Sequence, residues 1–356
     1  MSYAIAAAGT GGHVYPGLAI AEELGRRGVA KEDILFIGGD RLEAQVYPGA
    51  GFPFLALSLQ SLSRSLSLDN LKLPFVVRKA AQRARNEFQL RGVKVVLGMG
   101  SYVTVPVGWA AHRTEIPLYL HEQNAAAGLA NRIMSRWAHT TFVSFEGTKG
   151  VRRPETVGTP IRRNFLMSRA DLRHVALARY ALNPGTVVVG VFGGSLGAGV
   201  LNTAIGELAR RWEGPAISLL HLVGTRNVDG IDTEEGRVPW TVVGFEQAME
   251  YFYAASDLVV SRAGGVAVAE IAATHTPSIL VPGGFGGGHQ ASNAAAMERA
   301  GAAVHLPEEQ ISSLPSVVKM LVEDPARRRA MAEAAISIAR VDAAERIATT
   351  LVSAHG

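Results

Sequence analysis

Val187-Val-Val-Gly-Val-Phe192 runs directly into Gly193-Gly-Ser195-Leu196-Gly197-Ala198 and then into the apolar, helically spaced stretch Val200–Leu208. A β-branched run, a glycine turn and a helical period in that order form the head of a βαβ unit. The same series occurs once before, as Tyr3–Ala8, then Gly9-Thr10-Gly11-Gly12-His13, then Leu18–Leu24. A series that starts twice predicts two doubly wound α/β domains, each built on a parallel sheet.

Outward from the first head, strands are expected near Ile34–Ile37, Val93–Leu97, Leu118–His121 and Thr141–Val143. The second head starts its strand at Thr186. After it, strands are expected near Ile217–Val223, Thr241–Val243, Leu258–Ser261, Ser278–Pro282 and Ala303–Leu306. Arg152–Arg163, with Pro154, Gly158 and Pro160, reads as the hinge between the halves. Pro325–Ala354 is one Ala- and Arg-rich helical run with no strand after it, able to pack on either domain. Ligands of such folds sit beyond the carboxyl ends of the strands. Two facing domains would therefore form a cleft with a glycine loop on each side.

Composition agrees with this size of fold. The chain has 356 residues, 48% of them hydrophobic, enough to bury two cores. It has no cysteine, which excludes disulfides, thiolate zinc sites and cysteine nucleophiles. The opening MSYAIAAAGTGGHVYPG lacks a basic n-region and does not read as a secretory signal. No run of about 18 apolar residues predicts a membrane span. The net charge of +4 suits phosphorylated ligands, an anionic membrane or nucleic acid, and equally suits ordinary solubility.

Chemistry concentrates at the strand ends. Glycines at Gly9–Gly12 let the backbone approach an anion at a helix N-terminus, and His13 just past them has the pKa range of a general base. His121-Glu122-Gln-Asn124 puts four polar residues at the end of an apolar strand, with Asn131 one helical stretch later. Ser195 among glycines suits a phosphate, although no Gly-Lys-Ser/Thr follows as in a Walker loop. Ser261-Arg262-Ala-Gly-Gly265 leads to Glu270, a carboxylate able to hold a ribose diol. Pro282–Gly288 carries five glycines around one Phe and leads to Gln290, which can reach sugar hydroxyls or phosphate. Leu66, Leu68, Leu71, Leu73 and Phe75, fringed by Arg64, Lys72, Arg78 and Lys79, suit an anionic bilayer interface, whereas Val77, Ala81, Ala84 and Phe88 have core spacing.

In combination these segments resemble the MurG family. Four blocks match in order and spacing, Gly9–Pro16, His121–Asn131, Gly193–Asn202 and Ser261–Gln290, joined by Gly98-Met-Gly-Ser-Tyr102-Val103. The resemblance implies a glycosyltransferase B-type fold. Residues 1–160 would form the acceptor- and membrane-facing domain, 161–339 the donor domain, and a helix at about 340–356 would return to the first. It implies inverting transfer of N-acetylglucosamine from UDP-GlcNAc to undecaprenyl-diphosphate-linked N-acetylmuramoyl-pentapeptide, at the cytoplasmic face of a bacterial membrane. Thr10, Gly11, Gly12, Asn124 and Arg162 would lie near the donor, and Ser195 would bind its diphosphate. Phe245 and Glu246 would frame the uracil, Glu270 the ribose, and Gln290 the sugar or phosphate. His13 would be the base, with Glu122 its rival or orienting partner. Tyr102, His121, Asn131, Asn202 and Arg262 would complete the site on the acceptor side or nearby. Leu196 stands where the family usually has Gln. No Asp-x-Asp motif occurs, and no metal or other obligatory cofactor is expected. An anionic membrane surface is an expected partner and nucleic acid is not; the family's setting leaves room for cell-wall synthesis proteins. The readings set against this one are another UDP-sugar enzyme of the same fold (an epimerase or a glycolipid glycosyltransferase), a nicotinamide-dependent oxidoreductase using Asp40, and a non-catalytic membrane scaffold.

Overall fold

The computed structural model describes residues 2–57, 73–194, 197–224, 227, 230, 233, 236–284 and 288–354, and of Leu73 the backbone alone. The chain divides into two units, residues 1–162 with 340–356, and residues 163–339.

The first unit runs β1 (Ser2–Ala6), α1 (Gly11–Arg26), β2 (Ile34–Gly38), α2 (Glu43–Gly49), β3 (Phe54–Ala56), α3 (Leu73–Arg91), β4 (Val93–Gly98), α4 (Thr104–Arg113), β5 (Leu118–Glu122), α5 (Leu129–Met134), β6 (Thr140–Val143) and β7 (Pro154–Thr156). Its sheet has the order β3-β2-β1-β4-β5-β6-β7 with every pairing parallel. Residues on β1 alternate between two buried faces. Tyr3, Ile5 and Ala7 join the core under α1 and α2, while Ala4, Ala6 and Ala8 join the core under α3 and α4. Burial on both sides is why the strand sequences are continuous apolar runs. Tyr47 of α2 stacks on Phe36 of β2 at 3.7 Å and donates its hydroxyl to the Val14 carbonyl of α1, locking three elements together.

The second unit runs α6 (Arg169–Arg179), β8 (Val187–Phe192), α7 (Gly199–Arg211), β9 (Ile217–Leu222), β10 (Trp240–Val243), α8 (Met249–Ala255), β11 (Leu258–Ser261), α9 (Gly265–Ala273), β12 (Ser278–Leu280), α10 (His289–Arg299), β13 (Ala303–His305), α11 (Leu314–Glu323) and α12 (Pro325–Ile338). Its sheet order, β10-β9-β8-β11-β12-β13, repeats the doubly wound pattern of the first. Asp324 caps α12 by accepting the Arg327 N–H at 2.8 Å, with Pro325 at the first helical position.

Three places add to the sequence reading. Phe54–Ala56 is a strand that no alternation announces, because three residues at a sheet edge are too short to show a period. Arg152–Arg163 is more than a hinge, since Pro154–Thr156 is the opposite edge strand; proline is tolerated there because no neighbour needs its N–H. The C-terminal run Pro325–Ala354 is two helices, the second of them the helix at about 340–356 expected from the resemblance. Ala339 is extended (φ −65°, ψ 126°), and α13 (Ala343–Ser353) belongs to the first unit. There α13 packs on α1, with Ile347 and Leu351 buried among Tyr3, Ile5, Ile20 and Leu24. Gly158, at φ +95°, lies where a Cβ would come within 2.5 Å of the Arg340 Cβ, so only glycine lets the returning chain pass.

Candidate active site

In the first unit the sheet register brings the functional loops to one edge. Ala6 stands opposite Ile37 on one side and Gly98 on the other, so the loops after β1, β2 and β4 leave together. The strand order reverses at β1 and β4, the place where doubly wound sheets bind ligands. The Ala8 N–H donates to Ser101 Oγ at 3.1 Å, joining the two loops at that point. Thr10 is exposed ahead of α1, and Gly11 lies against the Tyr15 ring. Tyr102 reaches across to Gly39, where a Cβ would fall 2.0 Å from its hydroxyl. The Arg162 guanidinium covers Tyr15, 5.0 Å from the ring centre.

His13, in the first turn of α1, is half-buried, and its Nδ1 has no hydrogen-bond partner among the described residues. Burial pushes its pKa below the ordinary histidine value, while the negative charges of Glu122 and Glu43 pull it back up. A neutral imidazole facing two carboxylates can accept a proton and be stabilised once charged.

Glu122, expected as a rival base or an orienting partner, is bound into the loop after β5. It is 2% exposed. Oε1 accepts from the Asn124 backbone N–H and Nδ2, both at 3.0 Å, and Oε2 accepts from the Gly128 N–H and Asn131 Nδ2, both at 2.9 Å. Four donors commit the carboxylate to shaping the loop after β5. Two expected acceptor-side residues are likewise internal. Asn131 is fully buried and also donates to the His121 carbonyl at 2.9 Å. The His121 ring is fully buried, with its Nε2 2.9 Å from the Gly158 carbonyl, and burial drives its pKa down to about 4. It stays neutral, donating from Nε2. Asn124 is half-buried, positioned by Glu122.

In the second unit β8 pairs with β11 so that Phe192 stands beside Ser261, and Ser261 stands beside Leu280. The glycine loop, the Arg262 turn and the Pro282–Gly284 turn thus share one sheet edge. Gly193 packs on Ala198, where a Cβ would fall 2.4 Å from the Ala198 Cβ. Ser195 and Leu196 lie outside the described residues, as do residues 285–287. Among the described residues no side chain caps the N-terminus of α7, which follows this loop. Gln290 Oε1 accepts the Gly283 N–H at 2.9 Å, and Arg262 pairs with Glu308 while donating to the Val281 carbonyl at 3.2 Å. Glu270 is 8% exposed and accepts the Tyr253 hydroxyl at 3.0 Å on Oε2.

Two second-unit side chains are held internally. Glu246 is the first. Its oxygens accept from Arg179, from Tyr180 Oη at 2.7 Å and from the Ala248 N–H at 2.8 Å, which leaves its backbone and the half-exposed Phe245 for the expected uracil contact. Asn202 is buried, meeting the His221 ring at 3.1 Å and donating to the Val223 carbonyl at 3.0 Å. It holds the turn after β9.

Of the expected membrane residues, Leu66, Leu68 and Leu71 lie outside the described residues, and the Leu73 side chain is likewise undescribed. Phe75 is 76% exposed on the first turn of α3, while Ala81, Ala84 and Phe88 are buried as their spacing requires. Arg78 and Arg85 of α3 and Trp109 and Arg113 of α4 line a groove of about 310 Å³. Among the described residues no helix is long and apolar enough to cross a membrane. The sequence reading missed Glu43, which is fully buried. Its only local signal is an acid just past Gly38-Gly39.

Residues 3–143 match the glycosyltransferase family 28 N-terminal domain and residues 188–347 the C-terminal domain of the same family. A UDP-N-acetylglucosamine--N-acetylmuramyl-(pentapeptide) pyrophosphoryl-undecaprenol N-acetylglucosamine transferase of Halorhodospira halophila is 38% identical, covering 99% of this chain and 98% of its own. The enzyme of the same name from Saccharopolyspora erythraea is 34% identical, over 100% of this chain and 94% of its own. The crystal structure of Acinetobacter baumannii MurG superposes with a TM-score of 0.75 at 24% identity, covering 99% of this chain and 100% of that one, and so shares the fold. Two Rossmann-like units with these matches make the glycosyltransferase B-type fold, and the chain belongs to the MurG family of glycosyltransferases, within glycosyltransferase family 28.

Proposed function

We propose that this protein transfers N-acetylglucosamine from UDP-GlcNAc to the 4-hydroxyl of undecaprenyl-diphosphate-linked N-acetylmuramoyl-pentapeptide, inverting the anomeric centre. The observation that carries this reading is end-to-end likeness to transferases of that name, with a neutral histidine held at a glycine loop. Inversion takes one displacement, and the acceptor hydroxyl must lose a proton. His13 takes it, and Glu122 holds the loop carrying Asn124 against the sugar. Charge growing on the departing diphosphate is met by the N–H groups at the α7 N-terminus, without an obligatory metal. Gln290 and Arg262, held at the same sheet edge, orient the donor, and Glu270 holds the ribose.

The protein works as a peripheral enzyme on the cytoplasmic face of the membrane. Phe75 enters the interface, Trp109 lies at its level, and Arg78, Lys79, Arg85 and Arg113 meet anionic headgroups. Membrane docking is supported by an exposed aromatic residue beside clustered cations on α3 and α4.

The test uses labelled UDP-GlcNAc and a short-chain lipid-linked muramoyl-pentapeptide, without added metal. Label in the lipid supports the whole reading. Donor binding or epimerisation without transfer rejects the acceptor, and failure to bind any UDP-sugar rejects the reading.

A further inference from the structure

Glu43 is buried completely, yet no cation is paired with it among the described residues. Its carboxylate instead accepts two backbone amides from different loops, Gly9 N–H on Oε2 at 3.1 Å and Gly39 N–H on Oε1 at 2.9 Å. Those glycines follow β1 and β2, so one side chain from the first turn of α2 fastens together the ends of two strands. Space around it is shaped for a carboxylate. A Cβ on Gly38 would come within 2.7 Å of Glu43 Cγ, and one on Gly39 within 2.9 Å of Oε1. Burying a charge is costly unless hydrogen bonds satisfy it, and here two backbone amides do so.

We propose that Glu43 is a positioning residue for the transfer reaction: it fixes the Gly9 loop that starts α1 and supplies, with Glu122, the negative charge against which His13 takes up the acceptor proton. This rests on the reading of His13 as the base. The groups near His13 are few. Glu122 and His121 come from β5 and Glu43 from α2, and Tyr102 follows β4. On α1 itself Tyr15 lies beneath Arg162, and from α13 Glu345 pairs with Arg27 at the far end of the helix. Asp40 and Arg41 act on Tyr102. Among the described residues, Glu122 and Glu43 are the groups that raise the His13 pKa.

The experiment is an NMR titration of labelled histidine in the full-length protein and in Glu43→Gln and Glu43→Asp, beside pH profiles of kcat/KM. Glu43→Gln keeps the volume and removes the charge. Its His13 pKa is expected to fall by about 0.5–1, the scale of one screened charge at several ångströms, and the acid limb of the profile to move down with it. Glu43→Asp keeps the charge, so its His13 pKa should stay with the parent even if the shorter side chain loosens the Gly9 loop and raises KM. An unmoved His13 pKa in folded Glu43→Gln overturns the proposal. A moved pKa with an unmoved acid limb supports the hold of Glu43 on His13 and overturns His13 as the base. Should Glu43→Gln not fold, hydrogen exchange in the parent decides, because Gly9 and Gly39 amides that exchange freely overturn the tie.

Discussion

Glu122→Gln separates a base from a loop anchor. In the parent, each carboxylate oxygen accepts two N–H groups at 2.9–3.0 Å, on a side chain that is 2% exposed. Glutamine keeps one accepting oxygen and turns an NH2 towards the other pair. Whichever way it lies, two donors then face a donor. A hydrogen bond to a charged acceptor contributes about 1.5–3 kcal/mol, and losing two gives about 3–6 kcal/mol. The Asn side chains can turn to recover part of this, so about 3 kcal/mol is expected, against a typical total of 5–15 kcal/mol. The assay is urea unfolding followed by hydrogen exchange, read on peptides covering β5 and α5. The substitution should lower the midpoint for those peptides and expose the Gly128 amide. A base would behave otherwise. If Glu122→Gln unfolds within about 0.5 kcal/mol of the parent and kcat falls a hundredfold or more, the carboxylate is not committed to the loop and the assignment to His13 fails.

Other substitutions test separate parts. His13→Ala should lower kcat by about 10²–10⁴, the usual contribution of a general base, with little change in donor affinity measured by calorimetry; an unchanged kcat removes His13 from the chemistry. Ile347→Ala should destabilise the first unit by about 2–5 kcal/mol, because Ile347 is fully buried under α1; a loss below 0.5 kcal/mol by urea titration would mean that α13 is only loosely attached. For Glu246, burial raises the carboxyl pKa, but bonds from Tyr180, the Ala248 N–H and Arg179 outweigh it and hold the pKa below the ordinary 4.5. Its stabilisation is therefore present above about pH 4.5 and lost as pH falls through the lower folded value. Glu246→Gln should be less stable than the parent at neutral pH and should lack that acid limb, and parallel melting curves across acid pH would refute the linkage.

The central strands were legible because both faces of each sheet are covered. β1, β2 and β8 are apolar at nearly every position, and such runs bounded by glycine have one reading. The edge strands β3 and β7 were not, because three residues with one covered side carry no period. The break between α12 and α13 has no local signal either and was expected through the resemblance alone. Both segments are rich in Ala and Arg, and the extended Ala339 and the close pass of Arg340 over Gly158 are set by tertiary packing. Local helix propensity has nothing to say about a chain that must return to another unit.

Site residues were legible as positions and less so as roles. Polar groups at the ends of apolar strands do gather at one edge of each sheet, as the topology requires. Whether such a group meets a ligand or its own backbone depends on partners distant in sequence. Glu122, His121 and Asn131 spend their hydrogen bonds on one another's loops and on Gly158, and Asn202 spends its own on His221 and Val223. Glu43 is the converse case. In sequence it is an acid at a helix start, where solvated carboxylates are common. It becomes a buried anchor only because β1 and β2 end side by side and present two glycine amides that no other described residue accepts. Two glutamates from separate elements thus hold the loops on which His13 and Asn124 stand, and their shared effect on His13 follows from that placement: a carboxylate buried to hold backbone amides cannot avoid acting on the titratable group beside it.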